Sequence, residues 1–142
     1  MADFVANIAK GAVAEKVRDG AGLLMVPFDV GATSDATLKD VDFLSGVIAV
    51  ATERAATGWN RKTIANGSIT LTVDDTNDRV DVDIPDQTWT AVTAGVVTDL
   101  CIFENVGTDA TAVFLTQHDF AITQDGSDVQ VQINAAGFYR AS

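Results

Sequence analysis

His118 is the one histidine of the chain, and Asp119 follows it directly. An imidazole beside a carboxylate is the raw material of a general base held in place by an acid. No serine stands in the Gly-x-Ser-x-Gly turn that presents a nucleophile. At the end of a strand, where the local pattern puts it, His118 is better suited to local hydrogen bonding than to a hydrolase reaction. A second group is acidic: Asp74, Asp75, Asp78, Asp81 and Asp83. Oxygen ligands around a hairpin turn suit calcium. Their spacing departs from an EF-hand loop, however, and Asp81 and Asp83 fall on the wet side of a strand. Asx side chains in a turn also bond readily to nearby backbone, which favours a solvated hairpin tip. Arg54, Arg61 and Lys62 form either a patch for an acidic neighbour or scattered solvated charges, the second being the more ordinary case. Trp59, Trp89 and the seven phenylalanines are most simply core and interface anchors. The glycines fall at breaks, with no phosphate-cradling motif among them. The single Cys101 rules out an internal disulfide and any multi-cysteine metal site.

The element that organises the chain is a hairpin within Ser68 to Ala91. Ile69, Leu71 and Val73 alternate with polar residues, and so do Val80, Val82 and Ile84. The knot Asp75-Thr76-Asn77-Asp78 between them is turn chemistry. Pairing Val73 with Val80 places Leu71 opposite Val82, Ile69 opposite Ile84 and Asp74 opposite Arg79. A slip of one residue would turn one apolar set to water. Pro85 ends the second strand because it lacks a ladder donor.

With 142 residues and 47% hydrophobic content, the chain is long enough for one domain with a real core. No apolar run approaches the ~20 residues of a membrane helix, and no secretory leader is expected. A net charge of −11 argues against a nucleic-acid partner, since binding phosphates needs Lys and Arg. It favours mutual repulsion between copies away from specific contacts.

The pattern divides the chain into an N-terminal arm or short helix over 1–20 and a single β-rich domain over 21–142. The arm shows weak helical spacing interrupted by Gly11, and is equally suited to pack on its own domain or on a neighbour. Leu23 to Phe28 reads as an apolar strand, with Pro27 pointing to an edge or a terminus. Ser34 or Asp35 is placed to cap one short helix through Leu38, Val41, Leu44, Val47 and Ile48, though the stretch from Val47 to Thr52 is also strand-like. Further strands are expected at Lys62 to Ile64, Gln87 to Val92, Val96 to Phe103 (central), Thr111 to Thr116, Phe120 to Thr123 and Asp128 to Ile133. Gln124-Asp125-Gly126-Ser127 is a turn. Short strands broken by turns predict a mainly β, antiparallel sandwich or barrel-like domain.

The runs TVDDTNDRVDVDIPDQTWTA and LTQHDFAITQDGSDVQVQI and the ending AAGFYRAS resemble a group of small virion proteins of tailed bacteriophages, especially those infecting actinobacteria. The resemblance covers about Leu23 to Ser142. Members are assigned as head decoration or minor capsid proteins. It implies a structural, non-enzymatic protein of the virion, made in the host cytoplasm and bound to the outer capsid surface. The implied partner is the major capsid protein, and a homo-oligomer is expected, with a trimer among the states this allows. Neither cofactor nor catalytic residue is carried over, and neither nucleic acid nor membrane is an expected partner. The contacts expected on this reading are Phe4, Val5 and Ile8 in the arm, with Phe138 and Tyr139 near the C-terminus. Two alternatives stay open: a tail-tube or head–tail joining protein of the same virion, and a β-sandwich module that binds glycan or calcium.

Overall fold

The computed structural model describes residues 14, 15, 17–55 and 57–141; Phe4, Val5 and Ile8 lie outside them. After helical backbone at 14, 15 and 17–19, the first elements in chain order are β1 (Leu23–Asp29), α1 (Asp35–Lys39), α2 (Leu44–Val50), β2 (Thr52–Glu53) and β3 (Lys62–Ile64). Then come β4 (Thr70–Asp74), β5 (Arg79–Asp83), β6 (Gln87–Trp89), β7 (Val97–Glu104), β8 (Phe114–Ile122), β9 (Val129–Val131) and β10 (Tyr139–Ala141). The protein is mainly β, and its strand pairs are antiparallel.

The largest sheet has five strands, with β1 and β7 at its centre, β2 and β3 sharing one side of β1, and β8 beyond β7. Both faces of β1 and β7 are covered, which is why each reads as a nearly unbroken apolar run. On one face Leu23, Met25, Leu100 and Ile102 meet the larger core, with Val80, Val82, Trp89 and Val131 from two smaller sheets. Those sheets are β10–β5–β4 and β6–β9. On the other face Val26, Phe28, Cys101 and Phe103 meet Leu38, Leu44 and Val47 of α1 and α2. Among the described residues no helix is long and apolar enough to cross a membrane.

The hairpin has the expected register, with Val73 opposite Val80, Leu71 opposite Val82 and Asp74 opposite Arg79. Asp78, rather than Asn77, takes the left-handed backbone conformation in its turn, at φ 52°.

Four local expectations need correction. Pro27 is not at an edge: it sits in central β1, opposite Leu100 of β7. It is tolerated there because β3 pairs with residues 23–25 and β2 with 28–29. Residue 27 therefore lies just past the end of β2, where its carbonyl accepts the Arg54 N–H (2.9 Å) and the N–H that proline lacks is not part of a strand ladder. The one internal helix comes as two. Ser34 caps α1 by accepting from the Thr37 N–H (3.2 Å), and Phe43 then leaves helical geometry to bridge Val113 before α2 begins. The strands expected at Thr111 to Thr116 and Phe120 to Thr123 are one strand, β8, running through the polar Gln117-His118-Asp119. Asp81 is not on a wet face but buried, at 7% exposure. Strand β10 lies beside β5 and brings Arg140, whose Nε donates to Asp81 (2.6 Å).

Gly137 sets the path into β10. Its φ is +83°, and a Cβ there would collide with the Val82 carbonyl oxygen. With hydrogen alone, the chain closes onto β5 through the Phe138 N–H to Val82 O bond (3.0 Å).

Candidate functional site: an open sheet edge

The feature that asks for a partner is β8. It has nine residues and, among the described residues, pairs on one side only, with β7. Its first residue is covered: the Phe114 N–H donates to Asp42 O (2.9 Å). Beyond that, no described residue gives a backbone hydrogen bond to the outer side of 115–122. The strand is half-buried over most of its length instead of alternating between buried and exposed. A shift of register contributes, because Phe103 pairs with Phe114 and Ile102 with Thr116, which leaves Leu115 as an extra residue between them.

Around this edge the surface is concave. A groove of about 330 Å³ runs between His118, Phe120, Ile133 and Phe138. A smaller apolar recess of about 210 Å³ lies between Leu115, Val82, Phe138 and Tyr139, with Ala14 and Val17 on its wall. Phe138 packs against the larger core, and Tyr139 is 38% exposed. The fold thus brings Phe138 and Tyr139, both expected contact residues, beside the open edge. Ala14, from the stretch read as an arm, is buried in the core, and Val17 packs against it.

His118 and Asp119 are consecutive residues of a strand and so point to opposite faces. The His118 ring lies on the Phe138 side, edge-on to that ring at 6.4 Å, with Nε2 3.0 Å from Thr116 Oγ1. Burial pushes its pKa down, which favours neutral imidazole. Asp119 is exposed and stands opposite Asp99. Asp99 is buried and accepts from Thr98 Oγ1 and Gln117 Nε2, both at 2.6 Å. The juxtaposition does not make a base–carboxylate dyad.

Arg54, Arg61 and Lys62 are not loose charges; each is engaged within the fold. Arg54 donates to Asp29 (2.7 Å) and to Val96 O (2.8 Å). Arg61 holds two carboxylates in forked pairs, Glu53 at 2.6 and 2.7 Å and Asp109 at 2.6 and 2.8 Å. The Glu53 bonds first, and the Asp109 bonds second, raise the Arg61 pKa. The Arg61 bonds in turn hold the Asp109 carboxyl below the usual range. Lys62 Nζ lies 5.2 Å over the Trp89 ring, and the Trp89 indole donates to Asn60 O (2.7 Å).

The acidic residues of the hairpin are also engaged. Asp74 accepts from the Asn77 backbone and side chain at 3.2 and 2.7 Å, and those bonds lower its pKa. Arg79 Nε stands 3.1 Å from Asp74 and 3.2 Å from Asp81, off the line of a good hydrogen bond, so this is a charge contact. Among the described residues no group of three His, Cys, Asp or Glu is arranged to hold a metal ion. Burial pushes the Cys101 thiol up to about 12, which suits a packing role.

Reasoning from sequence missed the edge because Gln117-His118-Asp119 looks like the end of a strand. The available signal was the apolar residues on both sides of it, Phe114 and Leu115 before and Phe120 and Ile122 after. A comparison with protein-family models, curated proteins and solved structures finds no match.

Proposed function

We propose that this chain is a structural protein of a tailed-phage virion that decorates the head, binding the major capsid protein on the outer surface and stabilising capsomer contacts. The observation that carries this reading is the apolar recess beside Phe138 and the part-exposed Tyr139, a surface whose chemistry suits protein contact. The resemblance of the hairpin, of the β8 to β9 stretch and of the C-terminal segment to phage head proteins supplies the biological setting. The charge supports it as well. At −11, copies repel one another except where a specific contact holds them, which suits a protein spaced over a lattice. Many copies on one closed shell then act together, so each needs only modest affinity.

The test is to mix purified protein with assembled shells that lack it, sediment the shells, and image them by cryo-electron microscopy. Density repeated over the head is the expected result. Protein that stays in the supernatant rejects the proposal. A single ring at the neck moves the function to head–tail joining.

A further inference from the structure

We infer that the β8 edge is the dimer interface of this protein, where two copies pair β8 antiparallel about a two-fold axis and join their five-stranded sheets. The occupant is a second copy, and three observations lead to it.

The first is how little guards this edge among the described residues. Natural sheets guard their edges with short strands, lysines, prolines, inward charges, bulges or a covering segment. The strands that end the other sheet edges have two to five residues, and the five-residue β4 ends in Asp74. Strand β8 has nine residues, no Pro, no Lys and no Arg; its register against β7 shifts at two points, and the stretch 116–119 between them pairs regularly. The second is charge. Residues 113–123 carry one acid, Asp119, and no Lys or Arg, in a chain with 20 acids and 9 bases. Two strongly acidic domains approach at least cost where their charge is sparse.

The third is register. A two-fold axis normal to the sheet keeps the faces of the two copies aligned, so an antiparallel pair must centre on a residue opposite itself. Centred on Asp119, two carboxylates face each other, which is unfavourable. Centred on Gln117, Leu115 faces Asp119. Centred on His118, Leu115 faces Ala121, Thr116 faces Phe120 and Gln117 faces Asp119. In that register the Asp119 carboxylate meets an amide: one Gln117 N–H goes to Asp99 of its own chain, and the other is free to donate across the interface. The two His118 rings, neutral through burial, meet at the axis. The grooves beside His118 and Phe120 become continuous across the dimer, covering residues that one copy leaves half-exposed.

This inference rests on the fold and not on the virion reading. A dimer indifferent to shells leaves it standing and rejects only that reading. The test uses full-length protein in sedimentation equilibrium, with circular dichroism to confirm that each variant folds. Wild type is expected to show a concentration-dependent monomer–dimer equilibrium. His118→Glu puts two carboxylates opposite each other and is expected to raise the dissociation constant roughly fivefold or more. His118→Cys is expected to form a cross-chain disulfide under mild oxidation. Thr116→Cys is not, because its two copies lie about 13 Å apart along the strands in this register. Monomer at every concentration, equal cross-linking at both positions, or a trimer unmoved by His118→Glu would overturn the inference. Dimer that appears only after removal of residues 1–13 would overturn it too, since the chain's own N-terminal stretch would then be the occupant of the edge.

Discussion

Arg61 is the residue through which three parts of the chain are tied. It stands just before β3, holds Glu53 in β2 and Asp109 in the loop before β8, and Asp109 O accepts the Ser45 N–H of α2 (2.9 Å). The arrangement has a signature in pH. Asp109 has a lowered pKa in the folded state, so its carboxylate stabilises the fold above the ordinary carboxyl range. That contribution is lost as pH falls through the folded value. Asp109→Asn should therefore be less stable than wild type at pH 7, with the gap closing below about pH 4. Thermal unfolding across pH measures it, and an equal gap at all pH values would show that the ion pair does not account for the loss. Asp109 is well exposed, so the effect is modest.

The hairpin β4–β5 shows how one face can divide within a single pair of strands. Val73 and Val80 stand directly opposite each other, yet Val73 is 57% exposed and Val80 is fully buried. The difference lies in the neighbours: β5 is central, with β10 on its other side, while β4 is an edge. Burial is worth about 0.8 kcal/mol for each methylene, with an added cavity cost. Val80→Ala should thus cost about 2 kcal/mol in denaturant unfolding, and Val73→Ala less than about 0.5 kcal/mol. Equal costs would mean that the outer face of the hairpin is covered in solution. Alternation in the sequence identifies both residues as apolar-face positions, but cannot rank them, because alternation encodes a side and not a depth.

At the scale of the whole molecule, the N-terminal stretch must be cut with care. Ala14 is 1% exposed in the larger core and Val17 packs against that core, so a deletion through Arg18 would damage the domain along with the arm. A chain beginning at Ala14 should retain the native circular dichroism and cooperative unfolding of the full protein. If residues 1–13, which include Phe4, Val5 and Ile8, supply the tether of the proposed function, the shortened chain should lose binding to shells at least tenfold. Undiminished occupancy by the shortened chain would assign binding to the domain surface, with Tyr139 as the first residue to substitute.

What the sequence determined by itself is everything that depends on period and turn chemistry. The mainly β class, the hairpin and its register, a helix cap at Ser34 or Asp35 and the central place of β7 follow from side chains that alternate, cap or break locally. Only the tertiary structure decided which strands become neighbours. That choice buried Asp81, because β10 returned Arg140 to it; it placed Pro27 in a central strand, because β2 and β3 leave a gap; and it fused two expected strands into β8. It also left β8 with a partner on one side only among the described residues, because pairing depends on which strands meet, and local pattern carries no information about that.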